Sequence, residues 1–372
     1  MAAAAASTLS VAAAPADPSF PPFPLLEEDG GHYEHEQQRE EELPHGGELE
    51  LPVVDLEAPG EALAAACRRL GVFRVANHGV PADLSARLFA LARDLLGRTP
   101  FQEKQAQPGY FWGTPALTLR VKDVNWVEGF HVALGQKGST DAADPHFSEF
   151  SVHPCLLVVP PVKNKHWFVF IDFYHYTSCR TTVIRDVAGE YGEHMARVAR
   201  KLFDSMAAAL GLDTDQTATY LAERDGALRV YRYPPCPGSS HLGMEPHTDS
   251  SVLSIINQDL VGGLQVVHEG SWRDVAPADG GDGTLLLVNL GDMAQAISGD
   301  AYHSVRHRVV ASRDKGRVSL CYFAHPHHDA VLTCPGGSRY RPFSYGQFRE
   351  QVQADIKAFG TKVGGLRPFL RH

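Results

Sequence analysis

From Leu228 onward the chain is cut into short apolar runs: "LRVYRY", "SVLSII", "GLQVVHEGSWRDV", "TLLLVNLGD", "HRVVAS" and "GRVSLCYFAHP". Gly, Asp and Pro punctuate them at regular intervals, and each is too short for a helix that could bury a face. Such spacing predicts an all-β unit of the sandwich, jelly-roll or barrel kind. "HEGSW" and "SRDKGR" read as hairpin turns within it. There are no internal repeats.

The upstream half has a different period. "LPVVDL" (Leu51 to Leu56) reads as a strand, "EALAAACRRLG" as a helix ending at Gly71, and "VFRVANHGV" as a strand before Gly79. "ADLSARLFALARDLLG" is a second helix. The clearest helix starts near Val183, where Val187, Tyr191, Met195, Val198, Leu202, Met206 and Leu210 form one apolar stripe. Gly211 stops it, and Asp213 with Gln216 makes a capping box for the next helix. A helix with one such stripe must lie against something, most simply a sheet. "SYGQFREQVQADIKAFG" is a final helix.

Two stretches fit no packed element. Residues 1–48 are Ala/Pro-rich and then acidic, and are expected to be disordered. Ser151 to Thr182 is apolar and aromatic but has neither helical period nor clean alternation. Pro160, Pro161 and the Lys163–Lys165 patch interrupt it, so it reads as an atypical insertion extraneous to the fold. The expected organisation is thus 1–48 disordered, 49–150 an N-terminal domain and 151–182 an insertion. Residues 183–225 follow as backing helices, 226–335 as the β core and 336–372 as a C-terminal helix.

A formal net charge of -10 argues against nucleic acid or an anionic membrane as partner. Cys67, Cys155, Cys179, Cys236, Cys321 and Cys334 lie far apart without a CxxC pair, which suits reduced thiols inside a cell. The N-terminus lacks a basic region and arginine, and no run is apolar enough to span a bilayer. A soluble, cytoplasmic protein is expected.

The chemistry lies in "MEPHTDSSVLSII". His247 and Asp249 are i and i+2, so on an extended segment both side chains point the same way. Alone, such a pair is usually a surface feature. His307 in "YHSVRHRVV", 58 residues beyond Asp249, changes that reading, as does the Arg317-x-Ser319 pair ten residues further on. Two His and one carboxylate on one face of a metal, with the other positions open, describe non-heme Fe(II) oxygenases.

With these motifs in place the chain resembles the plant 2-oxoglutarate- and Fe(II)-dependent dioxygenases. "LPVVDL", "GVFRVANHGV", "YRYPPCP", "PHTDSS", "GLQV", "LVNLGDMAQAISGD", "SVRHRVV" and "RVSLCYFAHP" match that family's signatures in order. "YFWGTPALTLRVKDVNWVEGFHV" is most similar to gibberellin 2-oxidases, of the subgroup acting on C20 gibberellins. The resemblance implies an α+β fold: a double-stranded β-helix (jelly roll) core with an N-terminal α/β portion and backing helices. It implies that His247, Asp249 and His307 bind Fe(II), while Arg317, Ser319 and Tyr233 hold the distal carboxylate of 2-oxoglutarate. It further implies O2 as the oxidant, ascorbate as a helpful reductant, and a monomer acting on a gibberellin-like carboxylic acid at the 2β position. A flavonoid, another gibberellin position, or an inactive member kept as a binding protein are the alternatives. The family usually has Asn where this chain has Tyr231, which puts in question any polar contact there. His78 and His303 read as structural and exposed, respectively. Arg120 or Lys122 could meet a substrate carboxylate or be solvated.

Overall fold

A computed structural model describes residues 17–23, 43–113, 125–134, 167–222, 226–237, 242–278, 284–334, 337–359 and 361–371. The upstream strands are β1 (His45–Glu48), β2 (Val53–Asp55), β3 (Val72–Ala76), β4 (Tyr110–Trp112) and β5 (Glu128–Ala133). Downstream come β6 (Ala227–Tyr233), β7 (Leu242–His247), β8 (Leu253–Gln258), β9 (Leu264–His268) and β10 (Ser271–Asp274). Then follow β11 (Leu286–Leu290), β12 (His307–Val310) and β13 (Arg317–Ala324), and a short antiparallel pair, β14 (Val331–Leu332) with β15 (Phe343–Ser344), forms a two-stranded sheet of its own. The helices are α1 (Gly60–Arg69), α2 (Ala82–Arg98), α3 (Phe101–Lys104), α4 (Trp167–Leu210), α5 (Thr214–Tyr220), α6 (Asp292–Ile297) and α7 (Tyr345–Phe359).

The strands form a five-stranded sheet, β1-β10-β9-β12-β7, and an eight-stranded sheet, β2-β3-β11-β8-β13-β6-β5-β4. From β6 to β13 the chain passes back and forth between them, which is the jelly-roll path. Only β9 and β10 are consecutive neighbours in one sheet here. The turn between them is the expected hairpin, with Glu269 and Gly270 both at positive φ. "SRDKGR" is not a hairpin: β12 pairs with β7 and β9, whereas β13 pairs with β6 and β8. Turn residues announce that a strand ends, and the partner sheet decides where the next one goes.

One face of the large sheet is covered by helices. The α4 stripe of Val187, Tyr191, Met195, Val198, Leu202 and Met206 is buried in the main apolar cluster with Leu88, Leu95, Ile255 and Leu320. The Asp213–Gln216 capping box is present at the start of α5. The other face meets the small sheet: Tyr231, Tyr233, Ile256 and Cys321 pack with Leu264, Val266, Val305 and Val309. Among the described residues no helix is long and apolar enough to cross a membrane.

Three expectations are corrected. Helix α4 begins at Trp167 rather than near Val183, so the backbone of 167–182 is helical; residues 151–166 lie outside the described residues. Polar residues such as Asp172, His175, Ser178 and Arg180 are interspersed through 167–182 and leave no continuous apolar stripe at helical spacing, which is why its helical character is illegible. Order also starts before Leu51. Strand β1 runs parallel to β10, with Trp272 N–H donating to the Pro44 carbonyl and Leu49 N–H to that of Asp274. Within 17–23, Phe20 and Phe23 pack on Trp126, and Lys104 Nζ donates to the Ser19 carbonyl at 2.7 Å. Such segments take their order from a partner's backbone and rings, not from their own composition.

Candidate metal centre and cosubstrate site

The strand ends build the centre. His247 is the last residue of β7 and His307 the first of β12, and antiparallel pairing sets them opposite each other. Their ring centroids stand 4.2 Å apart. Asp249 follows β7, and its Oδ1 is 3.7 Å from His247 Nε2 and 3.8 Å from His307 Nε2. All three donor atoms lie within 4.8 Å of one another. Two donors bound at right angles to one cation stand roughly 3 Å apart, so a modest contraction would bring this trio onto a metal.

The surroundings aim each donor. His247 Nδ1 lies 2.7 Å from the Glu245 carbonyl and His307 Nδ1 lies 3.0 Å from that of Val305. A carbonyl can only accept, so both Nδ1 atoms carry a proton, which turns Nε2 of each ring toward the centre as the nitrogen able to ligate. Ser254 Oγ donates to Asp249 Oδ2 at 2.7 Å, leaving Oδ1 for the imidazole side. Burial, then the neighbouring His307, push His247 down to about 3, so the ring is neutral and able to ligate. Burial raises the Asp249 carboxyl, whereas positive charge on the neighbouring His307 and His247 and the Ser254 hydroxyl bond lower it, and the net direction is below its usual range.

Arg317 opens β13 and is 2% exposed. Nη1 donates to Ser319 Oγ at 3.2 Å and Nη2 to Gln258 Oε1 at 2.8 Å, while the guanidinium lies 4.8 Å over the Tyr233 ring. Nε has no acceptor. Among the described residues no carboxylate pairs with this buried cation, a costly state unless an anion joins it. The set fits a carboxylate, which a guanidinium fork and a hydroxyl hold by charge-assisted bonds. Tyr233 pairs in register with Arg317; burial raises its phenol, partly offset by Arg317, so it stays a neutral donor.

Further along the same inner face, cross-strand pairing sets His131, Arg229 and Cys321 side by side. Arg229 Nη1 donates to the Tyr231 hydroxyl at 3.3 Å, and its guanidinium stands 4.9 Å over the half-buried Phe323. The Phe111 ring lies 4.6 Å from His131. Tyr231 thus keeps a polar contact where the family usually has Asn. Burial raises both Tyr231 and Cys321, and the Asp249 carboxylate adds a smaller contribution in the same direction.

His78 is structural: it is buried, and Nδ1 accepts from Val80 N–H at 3.1 Å. His303 is exposed. Arg120 and Lys122 lie outside the described residues. Sequence reasoning missed Ser254, Gln258 and Arg229. Of these, Arg229 carried a signal, as a charged residue inside the strand-like run "LRVYRY".

Known proteins resemble the chain over most of its length. Residues 224–326 match the family described as the 2OG-Fe(II) oxygenase superfamily, and residues 51–147 the one described as non-haem dioxygenase in morphine synthesis N-terminal. Gibberellin 2-beta-dioxygenase 8 of Arabidopsis thaliana is 33% identical over 342 residues, spanning 87% of this chain and 88% of that protein. Gibberellin 2-beta-dioxygenase 6 of Oryza sativa subsp. japonica is 33% identical over 356 residues, spanning 87% and 86%. The crystal structure of JOX2 in complex with 2OG, Fe and JA superposes with a TM-score of 0.68 at 24% identity, covering 90% of this chain and 92% of that one. The chain belongs to the 2-oxoglutarate- and Fe(II)-dependent oxygenase superfamily. It is a 2-oxoglutarate-dependent dioxygenase of the gibberellin 2-beta-dioxygenase-like kind, and it uses Fe(II), 2-oxoglutarate and O2.

Proposed function

We propose that the enzyme hydroxylates a gibberellin at the 2β position, inactivating the hormone. The identity of 33% to two gibberellin 2-beta-dioxygenases over most of the chain carries the reading. His247, Asp249 and His307 hold the iron, and Arg317, Ser319 and Tyr233 hold the far carboxylate of 2-oxoglutarate. When bound, the iron couples oxidative decarboxylation of 2-oxoglutarate by O2 to hydroxylation of a C–H bond.

The chain's own groups do the rest. The Glu245 and Val305 carbonyls keep both imidazoles turned Nε2-inward. Ser254 holds the Asp249 carboxylate ionised and oriented. Arg317, shielded between Tyr233 and Gln258, fixes the cosubstrate's far end by charge in a dry setting. Phe111, His131, Tyr231 and Phe323 supply an apolar wall for a ring system, and the Arg229 guanidinium on that wall suits a substrate carboxylate.

The test is a panel of C19 and C20 gibberellins and flavonoids incubated with enzyme, Fe(II), 2-oxoglutarate and ascorbate. Products are read by mass spectrometry alongside succinate. A gibberellin gaining one oxygen at C2 with stoichiometric succinate is expected. Turnover of flavonoids alone would overturn the substrate, and gibberellin binding without succinate would overturn the activity.

A further inference from the structure

The segment after α7 returns to the metal centre through one side chain. Lys362 is nearly buried (10% side-chain exposure), and its Nζ donates to the Thr248 carbonyl at 2.6 Å and to Asp292 Oδ2 at 2.7 Å. Thr248 is the residue between His247 and Asp249. Asp292, the partner carboxylate, opens α6, and its backbone N–H donates to the Asp249 carbonyl at 2.8 Å. One ammonium therefore holds the peptide joining the two residues, and its counter-ion's backbone holds the next carbonyl. The lysine is itself fixed from below. Asp355, buried in α7, accepts from Val363 N–H at 3.2 Å and Gly364 N–H at 2.9 Å, and Leu366 and Phe369 are buried beyond it.

We infer that Lys362 is a positioning residue for the metal centre: by clamping the Thr248 carbonyl it sets the peptide plane that aims Asp249 against His247 and His307. The inference rests on reading those three as the metal ligands. A hydrogen bond to the Thr248 side chain would leave that plane free to turn, whereas a bond to its carbonyl does not. The charge suits the task, because an ammonium can serve a carbonyl and a carboxylate together in a site too tight for a guanidinium fork. The alternative role, closure of the C-terminus by a buried ion pair, involves the Asp292 bond alone.

The two roles separate in the metal-free full-length protein, titrated with Mn(II) by electron paramagnetic resonance and melted in parallel. Lys362→Met leaves Asp292 buried without its counter-ion and will melt lower. Lys362→Met combined with Asp292→Asn removes both charges, and Asp292→Asn alone, which keeps the bond to Thr248, is its reference. The double variant is expected to melt no lower than that reference, which keeps an ammonium without its counter-ion, yet to bind Mn(II) about tenfold more weakly, the lower end of the range seen when groups behind metal ligands are lost. Equal Mn(II) affinity in the two would overturn the positioning role and leave only C-terminal closure. A parent protein that fails to bind Mn(II) would instead sink the ligand assignment on which the inference depends.

Discussion

Replacing Gly291 by Ala should disable the enzyme although Gly291 contributes no side chain to the candidate metal or cosubstrate site. The residue caps α6 at an ordinary φ of -101°, so Ala would be conformationally welcome and, by restricting the unfolded chain, stabilising by about 0.4–1 kcal/mol. Space reverses the sign. A Cβ there would sit 2.1 Å from the Ser251 carbonyl oxygen and 2.9 Å from that of Asp249. Carbon and oxygen need about 3 Å or more, so the helix start and the Asp249–Ser251 loop must part by roughly 1 Å. Three bonds span that seam: Gly291 N–H to Val252 O at 3.0 Å, Asp292 N–H to Asp249 O at 2.8 Å, and Met293 N–H to Ser251 O at 3.2 Å. Overpacking of this kind costs about 1–3 kcal/mol, and a 1 Å displacement near a reacting centre costs on the order of 10²-fold in rate. Urea unfolding and succinate release measure the two effects. Gly189→Ala is the control, because nothing lies within 4 Å of its added Cβ and it sits inside α4. That variant should gain about 0.5–1 kcal/mol. Wild-type stability and turnover in Gly291→Ala would refute the argument that this seam holds Asp249.

Three further outcomes follow from the same geometry. Arg317→Lys should raise the KM for 2-oxoglutarate about tenfold or more while changing that for the substrate far less, because a point charge cannot replace the fork; initial-rate kinetics in both substrates decide it. Ser254→Ala removes the hydroxyl donor to Asp249 and should cost about 1.5–3 kcal/mol, seen as weaker Mn(II) binding in calorimetry. His131 is held well below its usual value of 6.5 by burial and then by Arg229, so it stays neutral folded but takes up a proton unfolded. The folded state therefore loses stability as pH drops below 6.5, and His131→Phe should flatten that fall in denaturation curves collected from pH 7.5 downward.

Much of this was legible in the sequence because strands and ligands obey short-range rules. The i, i+2 spacing put His247 and Asp249 on one side of an extended segment, and Arg317 and Ser319 on one face of β13, as the structure has them. The α4 stripe announced a helix against a sheet, and that is where it lies. What stayed illegible depends on who sits opposite. Ser254, Gln258 and Lys362 carry no pattern of their own; they matter because β8 and the C-terminal segment arrive beside Asp249, Arg317 and Thr248. Strand β1 and residues 17–23 have compositions of disordered chain and are ordered by what they pair with. The helical backbone of 167–182 was hidden because polar residues interspersed among its apolar ones leave no continuous stripe to read.

The two sheets also dictate an order of events in the life of the molecule. The imidazoles come from neighbouring strands of the small sheet, the guanidinium from the large one, and the clamp on Thr248 from beyond the last helix. A nascent chain that has reached only Asp249 holds two donors and no partner for them. The trio first exists when β12 has paired with β7, and its backing is complete only when the C-terminal segment has docked. Such long-range pairings form late in folding. A metal held by His247, Asp249 and His307 would therefore find its full set of donors only once these distant segments have come together.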